Sequence, residues 1–319
     1  MNMNAMKKMM FCAALAAALT LHGWFVIAHE SPFPHIHFGS TLQPDFEPFA
    51  GMWYANIRYA NAPNVDPNSQ SLDVYTLDLP LTNAPVMMYV HGGGGDRGDK
   101  ALSFDLSEKP AYFVAKEGFV FVSVNYRLGK DGGAANAAQD VADAVAWVHS
   151  NISKFGGNPD QIFLSGHSFG AGVVGQVGTN EALLKKAGKD LKTLKGVILL
   201  DGGAVDGKNF KSDQYLPAFL ILANSLGSNA PGGSTLKNSR AMVDALRATG
   251  HQGEVAELFG KDHFLASTDI GRHNDPTTIA VHNFLNSVLR RKETRVLKGC
   301  CPGSPSLPAR NQPGAPPAR

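Results

Sequence analysis

Cysteine is nearly absent from this chain. Of three in 319 residues, Cys12 lies in the leader-like start, and Cys300 and Cys301 are adjacent near the end. Neighbouring cysteines rarely pair with each other. These two sit in "GCCPGSPSLPARNQPGAPPAR", a Pro/Gly-rich stretch that cannot build a core. A disulfide framework and a zinc-ligand spacing are therefore excluded, and no metal site is expected. Charge is sparse as well, at 18% of residues with a formal net of +2. Between residues 29 and 289 acids outnumber bases, while from Arg290 onward seven Lys/Arg face a single Glu. That balance gives no footprint for a nucleic-acid partner. No internal repeat is visible, so solenoid and propeller architectures are set aside.

The chain begins "MNMNAMKKMMFCAALAAALTLHGWFVIAHES". Lys7 and Lys8 form a basic start, an apolar run follows from Met9, and Val26-Ile27-Ala28 offers a cleavage site before His29. Residues 1–28 read as a signal peptide. The expectation is a secreted or periplasmic protein with no stable membrane span after cleavage. Residues 29–290 read as one domain, and 291–319 as a disordered, basic, Pro/Gly-rich tail.

Through the middle, short apolar runs alternate with helical patterns. "VMMYV", "FVFVSV", "QIFLSG", "GVILLDGG", "AFLILAN" and "EVAELFG" have the length and composition of buried strands. "QDVADAVAWVHSNI", "AGVVGQVG", "STLKNSRAMVDALRATG" and "DPTTIAVHNFLNSVL" read as helices, the last with Asp275 as N-cap and Pro276 in the first turn. Near-continuous apolar strands separated by helices imply a mostly parallel central sheet with helices on both faces, an α/β architecture. "SLDVYTLDLP" alternates apolar and polar residues and reads as an antiparallel strand at the beginning of that sheet.

Two motifs stand at strand ends. In "FLSGHSFGAG", Gly166-His167-Ser168-Phe169-Gly170 follows a strand and opens a helix, the setting of a nucleophile elbow. Small neighbours give room for a strained turn that lifts the Ser168 hydroxyl above the sheet. In "YVHGGGGDRGDK", His91 and four glycines follow another strand. Their exposed amides suit an oxyanion, and the Lys-Ser/Thr ending of a phosphate loop is missing. Gly93 and Gly94, with the Phe169 amide after the nucleophile, are the expected oxyanion hole; the register of the glycines is open by one residue.

With "VSVNYRLG" and "WVHSNISKFGGNPDQIFLSGHSFGAG" between and around them, these motifs resemble the α/β-hydrolase superfamily. More narrowly, they resemble carboxylesterase and hormone-sensitive-lipase-like esterases with an HGGG oxyanion loop. The resemblance runs from about Leu72 to Leu289. It implies the α/β-hydrolase fold and ester hydrolysis through an acyl-enzyme without a cofactor, on a small-molecule ester. It also implies the chain order serine, acid, histidine. His263 in "GKDHFLAS" occupies the base position; His251, His273 and His282 are its rivals. The acid is the departure. Similar enzymes carry Asp or Glu just after the strand "AFLILAN", and here the loop "SLGSNAPGG" has none. Asp201, at the end of the preceding strand, is the first choice and Asp206 the second. An uncharged partner such as Asn224, or no partner, stays open. The expected activity is a serine carboxylic-ester hydrolase on small or medium acyl esters. The long segment Ala204–Tyr215 is polar, which argues against a long-chain lipase. A pseudo-hydrolase or binding module, or an acyltransferase, are the alternatives.

Overall fold

The computed structural model describes residues 35–38, 51–78, 81–101, 103–224 and 236–290. The stretch read as a signal peptide (1–28), the stretch read as a tail (291–319) with Cys300 and Cys301, and the acid-free loop after Asn224 lie outside the described residues.

Nine described strands form one sheet: β1 His35–Phe38, β2 Gly51–Arg58, β3 Ser71–Leu77, β4 Ala84–Val90, β5 Val120–Val124, β6 Gly157–His167, β7 Leu194–Leu200, β8 Ala218–Asn224 and β9 Gly253–Leu258. Their order is β1-β2-β3-β5-β4-β6-β7-β8-β9. The first four in that order pair antiparallel. From β5 through β9 every pairing is parallel. The segment from Ser71 is antiparallel as expected, but it does not begin the sheet; two further strands lie outside it. The second of these hides in the sequence because its alternation breaks at a register shift between Tyr54 and Ile57, where Asn56 takes a φ of 58°.

The parallel strands are apolar at nearly every position because both of their faces are covered. Val86, Met88, Val90, Val122, Ile162 and Leu164 face one core, packed by α2 (Gly133–Asn151) and α3 (Phe169–Thr179). Met87, Tyr89, Phe121 and Phe163 face the other, beneath α6 (Pro276–Leu289). Each fully buried aliphatic or aromatic side chain contributes about 1.5–3 kcal/mol, so the alternation fixes strand register. Three further helices matter below: α1 Ser103–Leu106, α4 Leu236–Ala248 and α5 Leu265–Thr268. The expected cap of α6 forms: the Asp275 carboxylate accepts from the Thr277 and Thr278 amides.

Register then aligns the strand ends. Val90 pairs with Gly166, His167 with Leu200, Leu200 with Leu222, and Asn224 with Leu258. The glycine loop, the elbow, Asp201 and the segment carrying His263 therefore leave the same edge of the sheet.

Candidate active site

Between β6 and α3, Ser168 alone makes the turn, with φ 56° and ψ −118°. Such a conformation costs a non-glycine residue about 1–2 kcal/mol. Close backbone packing sustains it. A Cβ on Gly170 would sit 2.4 Å from the Val90 carbonyl oxygen, and one on Gly202 only 2.2 Å from that of Ser168. The Ser168 amide donates to the Leu200 carbonyl at 3.0 Å, which tethers the elbow to β7.

The structure brings Ser168, His263 and Asp201 together. Ser168 Oγ lies 2.8 Å from His263 Nε2, and His263 Nδ1 lies 2.7 Å from Asp201 Oδ2. Asp201 is fully buried and also takes a left-handed φ, 43°. Its amide donates to the Leu222 carbonyl at 2.8 Å, and its Oδ1 accepts the Asn224 amide at 3.3 Å. The end of β8, where similar enzymes carry the acid, thus supplies a backbone N–H that steadies a carboxylate from β7.

The other candidates go elsewhere. Asp206 caps its own turn, accepting the Lys208 amide at 3.1 Å, and is exposed. His251 donates to the Gln214 carbonyl, His282 pairs with Glu117, and His273 is exposed. Asp262 accepts the Phe264 and Leu265 amides at 2.9 and 2.8 Å and so shapes the turn just after His263. Buried Lys261 binds Asp269 at 2.7 Å and also the cap residue Asp275, fastening that segment to the start of α6.

On the glycine side, the turn closes through Asp96 and Arg97 amides donating to the Gly93 carbonyl. A Cβ on Gly92 would lie 3.2 Å from Ser168 Cβ, so this loop runs directly over the serine. The Gly92 amide is already engaged by Asp105 Oδ2 at 3.2 Å. Among the described residues, no acceptor takes the Gly93, Gly94 or Phe169 amides. His91 is buried and stacked on Tyr126 with centroids 4.6 Å apart; its pKa is lowered, chiefly by burial.

Two residues that no motif in the sequence marks, His167 as more than a member of the elbow and Asp105 at all, also meet at this site. His167 Nε2 donates to the His263 carbonyl at 2.8 Å, and Nδ1 lies 3.4 Å from Asp105 Oδ1. Asp105 also accepts from Tyr89 at 2.8 Å and from Ser267 at 3.2 Å. Burial would raise this carboxyl, but the adjoining His167 ring and Lys109 ammonium overcome that and hold it well below the usual carboxylate range. Lys109, fully buried, is pulled down to about 8 because desolvation outweighs its attraction to Asp105 and Asp269. The only signal in the sequence was a histidine inside the elbow; nothing in spacing or pattern connects it to "SFDLSEK".

A family model described as "Carboxylesterase family" matches residues 65–257. Esterase E4 of Myzus persicae is 32% identical over 152 residues, covering 40% of this chain and 27% of that protein. The para-nitrobenzyl esterase of Bacillus subtilis is 32% identical over 130 residues, covering 36% and 25%. This chain thus matches about a quarter of the length of these curated relatives. Among solved structures, Thermogutta terrifontis esterase 2 phosphorylated by paraoxon superposes with a TM-score of 0.58 at 19% identity, over 72% of this chain and 92% of that one. Esterase B from Lactobacillus rhamnosis gives 0.59 at 17% identity, over 75% and 86%. These likenesses show the α/β-hydrolase fold. With the family model spanning more than half of the chain, the protein belongs to the carboxylesterase family.

Proposed function

We propose that this protein is a serine carboxylic-ester hydrolase acting through an acyl-enzyme on small or medium acyl esters. The observation that carries the reading is the unbroken line of hydrogen bonds Ser168–His263–Asp201, at 2.8 and 2.7 Å. In this reading Ser168 Oγ attacks the ester carbonyl while His263 Nε2 takes its proton. Asp201 accepts the His263 Nδ1–H bond, fixes that tautomer and stabilises the imidazolium. The Gly93, Gly94 and Phe169 amides bind the carbonyl oxygen as it gains charge. The C–O bond to the alcohol breaks, and the leaving alkoxide takes the proton back from His263. Water then repeats the sequence, with His263 as base, and releases the acid and Ser168. No metal or organic cofactor enters these steps.

The HGGG-type oxyanion loop and the hormone-sensitive-lipase-like subtype belong to the same proposal. Supporting them are His91 and the glycines at the end of β4, the loop's close approach to Ser168, and the committed Gly92 amide, which leaves Gly93 and Gly94 as donors. Phe264 is 53% exposed and stands edge-on to the His263 ring, offering apolar surface to a substrate. Secretion or periplasmic export after removal of residues 1–28 rests on the leader's composition, and N-terminal sequencing of the exported protein should begin at His29.

A fluorophosphonate probe tests the central reading. It should label Ser168 in the folded protein, the Ser168→Ala variant should be silent, and p-nitrophenyl acetate turnover should vanish with it. A folded wild-type protein that leaves Ser168 unlabelled would point to a binding module instead. Product analysis with competing alcohols separates hydrolysis from acyl transfer.

A further inference from the structure

We infer that Asp105 and His167 are positioning residues for this centre, joining the glycine loop, the nucleophile elbow and the segment that carries His263. The inference rests on the esterase reading above.

Each ring nitrogen of His167 faces a different partner. A carbonyl oxygen only accepts, so the 2.8 Å contact between His167 Nε2 and the His263 carbonyl puts a proton on that nitrogen. The residue before the nucleophile therefore grips the main chain of the residue whose ring meets the nucleophile. Ser168 and His263 are joined twice, once through their side chains and once through His167. The second link sets the height of the His263 backbone above the elbow, and so the reach of its ring to Oγ.

His167 is in turn backed by Asp105. Its Oδ1 lies 3.4 Å from His167 Nδ1 and accepts from Tyr89 on β4 and Ser267 on α5. Its Oδ2 takes the Gly92 amide at 3.2 Å, immediately before the expected oxyanion donors. One buried carboxylate thus ties the oxyanion loop to the base segment. The charged and titratable groups facing this pair are Lys109, His91, His263 and the Tyr89 and Tyr126 hydroxyls. Neither Asp105 nor His167 would touch the reacting atoms. Both act through the spacing of groups that do, and catalysis is sensitive to that spacing: supporting contacts of this kind change activity by about tenfold to a hundredfold.

The test compares side chains at position 167. His167→Gln carries an N–H at a similar reach and can still donate to the His263 carbonyl; His167→Leu fills the space without a donor. With p-nitrophenyl acetate, His167→Leu should lose about tenfold to a hundredfold in kcat with KM within about twofold, while His167→Gln recovers most of that loss. Asp105→Asn should also lower kcat. The double variant Asp105→Asn/His167→Leu should be no worse than the poorer single one, because the two residues act as a unit. Melting temperatures are measured for all. If His167→Leu does not fold, His167→Asn replaces it, since its shorter amide reaches toward Asp105 and not the His263 carbonyl. Wild-type kcat in the variant lacking the donor, a Gln variant no better than it, or losses that add in the double variant would overturn the inference. A wild-type protein that neither labels nor hydrolyses would instead overturn the esterase reading.

Discussion

Two histidine–aspartate pairs stand side by side above the sheet, with ring centroids 4.8 Å apart. Their chemistry is alike and their surroundings are not. His263 lies 2.7 Å from Asp201 and turns its other nitrogen toward a hydroxyl. His167 lies 3.4 Å from Asp105 and turns its other nitrogen to a backbone carbonyl. A hydroxyl can give up a proton; a carbonyl has none to give. The far nitrogen's partner therefore decides that one pair can move protons and the other can only hold position. The two carboxylates differ in the same way. Asp201 receives one backbone amide besides its histidine, whereas Asp105 gathers contacts from four elements.

The largest break in this comparison should come at Asp201. Asp201→Asn preserves shape but favours the wrong His263 tautomer, and we expect kcat for p-nitrophenyl acetate to fall about 10⁴-fold. The residual rate would come from the oxyanion amides. A fall below about tenfold, in a protein with an unchanged melt, would mean that Asp201 does not serve His263 in turnover.

A smaller effect, read in stability, probes the second pair through Lys109. Its amine donates to the Asp105 carbonyl at 2.6 Å and lies over the Tyr89 ring, with no exposure to water. The folded protein holds this amine at about 8, below its ordinary value of 10.5. Between those two values the unfolded chain binds more protons than the folded one, so stability should rise with pH across that window. The full rise from this group is of order 3 kcal/mol. Below about pH 8 both states are protonated and the cost of burying the cation is fully present. Urea midpoints at pH 7.5 and pH 10 check this: the upward slope should flatten in Lys109→Met. An equal slope in that variant would assign the effect to another group.

Much of this centre was legible from local signals. A strand, a small-residue turn and a helix are encoded within a few residues around Ser168, so the elbow could be read directly. The strands β4 and β8 were legible because burial on both faces leaves an unbroken apolar run. The triad's third member was not fixed by such signals. Asp201 and Asp206 are both followed by glycine and both near one strand end, and only the neighbouring register, Leu200 beside Leu222, decides which is buried against His263. β2 was hidden by its bulge at Asn56. The Asp105–His167 link was beyond reach for a different reason: it is a contact between distant parts of the chain, and neither residue carries a pattern of its own.

The smallest expected effect is at Asp206, the rival acid. Its carboxylate accepts the amide of Lys208 and pairs with the ammonium of the same residue at 3.0 Å, facing water. Both contacts lie within its own turn, which the neutral, isosteric Asn side chain can also cap through its Oδ1. The pair with Lys208 is exposed and so contributes little to stability. Its carboxyl is nevertheless held below the usual range, first by the Lys208 side chain, which shows that a lowered carboxyl alone does not mark a catalytic acid. Asp206→Asn should therefore leave kcat and KM within about twofold of wild type, where Asp201→Asn loses orders of magnitude. Measured together, the two variants isolate burial against His263 as the property that matters. Equal losses from both would mean that the acid's place at the end of β7 is shared along the turn and not fixed at one residue.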